Sequence, residues 1–423
     1  MEKPKKIVYF VGAGLTKSLE KAEKPIPLMY DFVRVMADYV RYQGEDVILT
    51  TLAELENAGA FQATSPEAQR LAKAVVGRNR DTSQGTRDAF RRAFRDRPSE
   101  SIEDLLLRAL ELATGVPESD GEAALRKSSA ENAGGRFGYA VNRLFAHWIG
   151  WEVECCPLER FLQNQFVSFP LDVDRANCHT FINFNYDLIL DRAVQRGARD
   201  RFGHQCWVPS TGYGFPIELL VSEEPAPSRN GATPYEAHPH PQMPCINVEI
   251  LKPHGSLNWL VPHEDSHKVV EYGVAFRHGP VSVPLTRSGE VDYWRSYGSC
   301  DNLTSARPNW AAWHVGICIF PPMPPAKRAV LGFLKSTLCK EEEAVREAED
   351  FYILGWSLPK TDRDQLDLIK RAVAARRGHI GRVVVVNLDA KPDYFGHVQE
   401  TFGVAKSNLE IHNAGFRDFA ERF

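Results

Sequence analysis

Two residues able to do polar and acid–base chemistry stand just after apolar runs: Asn185, in Phe184-Asn185-Tyr186-Asp187, and His254, in Pro253-His254-Gly255-Ser256. Histidine is the natural general base near neutral pH, because its ordinary titration lies there. An asparagine amide can orient a water or a hydroxyl, since it carries both donors and an acceptor. A third segment, Val11-Gly12-Ala13-Gly14, has glycines that let a backbone approach a pyrophosphate, whose charge free amide N–H groups would meet. Thr16 and Ser18 behind it offer hydroxyl donors, and Lys17 stands where the third glycine of G-x-G-x-x-G would fall. Gly355-Trp356-Ser357-Leu358-Pro359, with Asp362 after it, and Val386-Asn387-Leu388-Asp389 complete the set. Each segment also has a plain structural reading. Gly-Ala-Gly makes a tight turn, Asn185, Asp187 and Ser357 can cap helices, His254 can be a satisfied strand-end residue, and Asn387 can end a core strand.

The elements that would position these residues are short apolar runs. Ile7 to Val11, Thr180 to Phe184, Val248 to Leu251, Tyr352 to Leu354 and Val383 to Val386 are continuous, rich in Val, Ile and Phe, and each runs into one of the polar turns. That is the pattern of strands buried on both faces in a parallel sheet. Helices are predicted over Leu188 to Val194 and Asp364 to Ala375. Ligands in such α/β sheets lie beyond the carboxyl ends of the strands, where all five turns would gather. The fold expected is a Rossmann-like parallel sheet with helices on both faces, built from residues 1–30 and 170–423.

Residues 31–169 differ. Ser101 can cap a helix on which Ile102, Leu105, Leu106, Ala109 and Leu110 share a face, and Phe137, Val141, Leu144, Phe145 and Trp148 repeat that periodicity. This stretch is read as an inserted helical subdomain. Within it Phe90 and Phe94, four apart and flanked by arginines, form either an interface patch or part of the subdomain's own core. Arg196 to Pro244, rich in Pro, Gly, His and Ser, is read as a long surface excursion.

Composition sets bounds. A chain of 423 residues with 43% hydrophobic and 25% charged residues can bury a large core in two domains or subdomains. A net charge of −4 gives no basic footprint for a dedicated nucleic-acid binder. No run is long enough to span a membrane, and Ile7 to Val11 is too short for a signal-peptide core, so a cytoplasmic protein is expected. The eight cysteines contain no C-x-x-C pair, which argues against a structural four-cysteine zinc site. His238, His240 and Cys245, like His263 and His267, read more readily as polar loop residues than as metal ligands.

The order Gly-Ala-Gly, Asn-x-Asp, His-Gly, Gly-x-Ser, Asn along the chain resembles the sirtuin family. It is closer to the sirtuin-like NAD-consuming proteins of prokaryotic antiphage defence, through Gly355-Trp356-Ser357-Leu358-Pro359 and Asp362. The resemblance covers roughly Lys6 to Leu28 and Cys178 to Asp389. It implies NAD as substrate, with Asn185 and His254 catalytic and Asp187 gripping the nicotinamide carboxamide. Gly12, Ala13, Gly14, Thr16, Gly355, Ser357 and Asn387 would hold the rest of the dinucleotide. The sequence departs from the deacylating members: Pro27-Leu28-Met29-Tyr30-Asp31-Phe32 lacks the arginine of their Pro-Asp-Phe-Arg segment, and the paired C-x-x-C zinc module is missing. The expected activity is therefore hydrolysis of NAD to nicotinamide and ADP-ribose without a metal. Protein deacylation or ADP-ribosyl transfer, and a non-catalytic nucleotide-binding subunit, are the alternatives. The resemblance further implies an abortive-infection effector, controlled by homo-oligomerisation or by a separate sensor such as a hexameric translocase ATPase of the HerA type.

Overall fold

The computed structural model describes residues 4–20, 31–43, 46–76, 81–101, 156–165, 177–202, 212–214, 218–223, 236–239, 247–262, 270–275, 315–319, 332–359, 362–388 and 390–422, with single positions 104, 105, 108 and 207. The strands are β1 (Lys6–Val11), β2 (Cys178–Asn183), β3 (Glu218–Glu223), β4 (Glu236–Pro239), β5 (Val248–Leu251), β6 (Gly255–Pro262), β7 (Val270–Ala275), β8 (Val315–Ile319), β9 (Asp350–Leu354), β10 (Arg382–Val386) and β11 (Leu409–His412). The helices are α1 (Ala13–Ser18), α2 (Phe32–Gln43), α3 (Asp46–Ala58), α4 (Pro66–Val76), α5 (Gln84–Arg95), α6 (Cys156–Gln165), α7 (Ile189–Phe202), α8 (Gly332–Glu347), α9 (Arg363–Ala374), α10 (Pro392–Phe402) and α11 (Phe416–Ala420).

Six strands form one wholly parallel sheet in the order β11-β10-β9-β1-β2-β5. Counted along the chain, that is the 3-2-1-4-5-6 order of a doubly wound nucleotide-binding sheet. The central strands are apolar on both sides because both sides are covered. Tyr9 lies in register with Phe181 and Tyr352, and its ring stacks on theirs at 4.3 and 5.0 Å. Phe161 of α6 packs edge-on against Tyr9 and also meets Phe416 and Phe419 of α11. On the opposite face, Phe10 joins Phe351, Ile353, Leu368 and Ile369 of α9 and Phe402 of α10 in one buried cluster. Among the described residues no helix is long and apolar enough to cross a membrane.

The chain divides into two compact units, residues 1–25 with 149–423, and residues 26–148. Helix α6, within the 31–169 stretch expected to form the insert, belongs instead to the sheet unit, because Phe161 is fixed in its aromatic core. The excursion expected from Arg196 to Pro244 contains β3 and β4, which pair with each other and, through β7, join a five-stranded mixed sheet. Helix α7 runs eight residues beyond its expected end at Val194. The helices expected around Ile102–Leu110 and Phe137–Trp148 lie largely outside the described residues, although Leu105 is buried and its N–H donates to the Ser101 carbonyl at 3.0 Å.

In the second unit, Phe90 and Phe94 are fully buried. Their rings stack at 4.3 Å, Phe61 lies edge-on to Phe94, and the Arg97 guanidinium sits over Phe61 and Phe94. The pair is core and not an interface patch. Phe94→Ala is expected to destabilise this unit by about 3–5 kcal/mol, the usual cost of emptying a phenylalanine site. A urea transition unchanged from wild type would contradict that burial.

Burial also sets a pH dependence. His179 on β2 faces Tyr9, whose hydroxyl lies 3.0 Å from Nδ1, and burial pushes its imidazole down to about 4. The unfolded chain, with its ordinary value of 6.5, takes up this proton first. The contribution to stability is therefore whole above about 6.5 and is lost as pH falls through about 4, to a limit of about 3 kcal/mol. His179→Gln should flatten the fall in urea midpoint between about pH 7 and pH 4.5. An identical fall in wild type and variant would assign it to other groups.

Candidate functional site

The strand order reverses between β1 and β9, and the turns after these strands lock together. The Gly12 N–H donates to the Leu354 carbonyl at 3.0 Å, Gly14 N–H to the Gly355 carbonyl at 2.9 Å, and Gly355 N–H to the Val386 carbonyl at 2.8 Å. A Cβ on Gly12 would lie 2.5 Å from the Trp356 Cα, and one on Gly14 2.7 Å from the Gly355 carbonyl oxygen. Gly355 has φ +63°, and its Cβ would lie 2.0 Å from the Leu15 nitrogen. The glycines thus allow two backbones to meet at the switch point. The amides of Gly12 and Gly14, expected to face a pyrophosphate, are spent on that meeting. Ala13 is the exposed residue of the turn.

Thr16 is likewise turned inward. It is buried, its Oγ1 donates to Asp187 Oδ2 at 2.9 Å, and it accepts from Asn185 Nδ2 at 3.2 Å. Asn185 Nδ2 also donates to the Gly12 carbonyl at 3.1 Å, and the Asn185 N–H to Asn183 Oδ1 at 3.0 Å. Thr16 therefore ties Asn185 and Asp187 to the first turn across about 170 residues of sequence. Asp187 Oδ1 accepts the Ile189 N–H at the start of α7 at 3.0 Å. With both oxygens engaged and the side chain buried, Asp187 is a structural cap and brace rather than an open ligand for a carboxamide. Burial raises its carboxyl above the usual range, against the opposing effects of Lys252, the Ile189 N–H and Thr16.

Lys252, which the sequence reading left without a role, is fully buried. Its ammonium donates to the Asp187 carbonyl at 2.7 Å, Ser256 Oγ at 2.8 Å and Asp191 Oδ2 at 3.1 Å, filling its three N–H positions. The Tyr213 hydroxyl donates to the other oxygen of Asp191. This network joins the end of β5 to the start of α7, and so holds the His254 turn beside the Asn185 turn.

His254 is 2% exposed, and its Nε2 lies 3.1 Å from Asp362 Oδ1. Asp362 Oδ2 accepts the Trp356 indole N–H, also at 3.1 Å. The Phe184 and Tyr186 rings flank the imidazole at 5.6 and 6.3 Å. Its Nδ1 is buried and has no hydrogen-bond partner among the described residues. A buried polar atom left so is costly in a finished core and ordinary where a ligand completes it. Asp362 could have been found from its place in the Gly-x-Ser-Leu-Pro-x-x-Asp run, but not its partner, 108 residues away.

Ser357 is exposed, and Leu358 after it has φ +50°, an uncommon conformation for a branched residue and still less favoured before proline. Asn387 is half-buried, and its N–H donates to the His412 carbonyl and its Oδ1 accepts the Leu388 N–H. Tyr394, not singled out in the sequence, donates to the Trp356 carbonyl at 2.6 Å, so it joins α10 to the turn after β9. Among the described residues no three His, Cys, Asp or Glu side chains converge as metal ligands.

Comparison of the chain with protein-family models yields no match, nor does comparison with curated proteins. Fold and site define the class: an α/β protein with a Rossmann-like parallel sheet whose polar turns meet at the carboxyl edge.

Proposed function

We propose that the protein is an NAD hydrolase that cleaves the nicotinamide–ribose bond with water. The observation that carries this reading is His254 Nδ1, a buried nitrogen without a partner among the described residues, beside the switch point of a Rossmann-like sheet, with Asn185 on the neighbouring strand end. A protein that only bound a dinucleotide would not require a buried imidazole with an open nitrogen. In the reaction a water oxygen bonds to the ribose anomeric carbon as the carbon–nitrogen bond breaks. The bond pair leaves with nicotinamide, which becomes neutral, and the proton of the water passes to His254 Nδ1. Asn185 uses its amide nitrogen internally, so its Oδ1 is the group left to accept from the water or a ribose hydroxyl. Ala13, Ser357 and Asn387 line the turns along which the remainder of the dinucleotide would lie, while Gly12, Gly14, Gly355, Thr16 and Asp187 shape those turns.

The order of the five motifs further supports an antiphage effector that kills by NAD depletion. Such an enzyme must be restrained, and homo-oligomerisation or a separate sensor would supply the control. The test is to incubate the purified protein with NAD over a range of protein concentrations and separate the products by chromatography. Nicotinamide and ADP-ribose in equal amounts are expected. Binding of NAD without its loss would favour the non-catalytic subunit.

A further inference from the structure

We infer that Asp362 is a positioning residue that fixes the tautomer of His254, so that Nδ1 is the atom that accepts the proton; this rests on reading His254 as the base. Asp362 precedes α9 at its N-cap position, where an aspartate ordinarily bonds the first free N–H groups of the helix. Here it makes no such side-chain cap bond. The buried carboxylate is turned to two other donors, His254 Nε2 and the Trp356 indole, each at 3.1 Å. An ionised carboxylate only accepts, so Nε2 must carry a hydrogen, and a neutral ring then has its lone pair on Nδ1. That nitrogen is the one left without a partner among the described residues.

Trp356 makes the arrangement one-sided. Its ring is stacked between Phe10 at 5.5 Å and Phe184 at 4.4 Å, and its carbonyl is held by Tyr394, so the indole N–H always presents a donor to Oδ2. Of the described neighbours, the Tyr186 ring stands T-shaped to the imidazole, and the Lys252 ammonium is turned to Asp191 and the Asp187 carbonyl.

This geometry makes Asp362→Asn informative. The indole N–H demands an oxygen, so the amide introduced by the substitution would set its oxygen toward Trp356 and its NH2 toward His254. Nε2 must then accept, and the hydrogen moves to Nδ1. The experiment is nitrogen NMR of the full chain with labelled histidine at mildly alkaline pH, alongside nicotinamide release. Wild type should show His254 protonated on Nε2. Asp362→Asn should show it protonated on Nδ1, with release reduced on the order of 100-fold or more. Adding Trp356→Phe removes the demand for oxygen, lets the amide turn over, and should return the hydrogen to Nε2. A purely structural role for Asp362 predicts no such reversal. Nδ1–H in wild type, or Nε2–H retained in Asp362→Asn, would overturn the inference. If the tautomers behave as stated while wild type leaves NAD intact, the positioning role stands and the NAD-hydrolase reading fails.

Discussion

Gly355→Val yields a chain that does not reach the native fold, or does so with a urea midpoint far below wild type. Gly355 follows β9 with φ +63°, in the left-handed region that costs a residue with a side chain about 1–2 kcal/mol before any contact is considered. Its Cβ would then lie 2.0 Å from the Leu15 nitrogen and 2.4 Å from the Gly14 carbonyl carbon, which are backbone atoms with no rotamer to yield. Relief requires parting the β1 and β9 turns, which would break the Gly12–Leu354 and Gly14–Gly355 hydrogen bonds. The sum exceeds about 4 kcal/mol, at the severe end for a single change. Gly378→Ala is the control, since Gly378 is exposed and a Cβ there meets nothing within 4 Å. Circular dichroism during denaturation decides the matter, and a wild-type midpoint for Gly355→Val would mean that the two turns do not meet.

The second large effect is on rate. On the proposed hydrolase reading, His254→Ala should abolish nicotinamide release while leaving the secondary structure and the binding of NAD largely intact. Its imidazole touches Asp362 and two aromatic rings and carries no backbone hydrogen bond of the sheet. Loss of a positioned base costs on the order of 100-fold or more. Asn185→Ala should lose rate comparably, though with some loss of stability, because Nδ2 bonds the Gly12 carbonyl and Thr16. Wild-type turnover by a folded form of either variant would remove the residue replaced in it from the mechanism.

The sheet was legible in the chain because its strands are buried on both faces. Ile7 to Val11 and Val383 to Val386 have no alternation to confuse them, and each stops at a glycine or an asparagine. The strand order was not legible, since register and neighbour choice depend on packing between segments hundreds of residues apart, such as Tyr9 on Tyr352. The site divides in the same way. The chain marks Asn185 and His254 by residue type at strand ends. It does not reveal that Thr16 faces Asp187, that Lys252 is buried among acceptors, or that Asp362 meets His254, because a polar side chain's direction is set by its partner. Phe90 and Phe94 show the limit of periodicity. Their spacing puts them on one helical face, but whether that face meets its own unit or another copy depends on Phe61 and Arg97. Strands β3 and β4 were missed because their surroundings are rich in proline and histidine and carry no alternating pattern.

If the protein is an NAD hydrolase, water, and not an acylated lysine, takes the ADP-ribose from NAD. Nicotinamide release and the accompanying products should be measured with and without an acetyl-lysine peptide, for wild type and His254→Ala in parallel. Equal release by wild type in both conditions is expected, with free ADP-ribose as the partner product and no release by His254→Ala. Release that requires the peptide and leaves the acyl group on ADP-ribose would contradict hydrolysis.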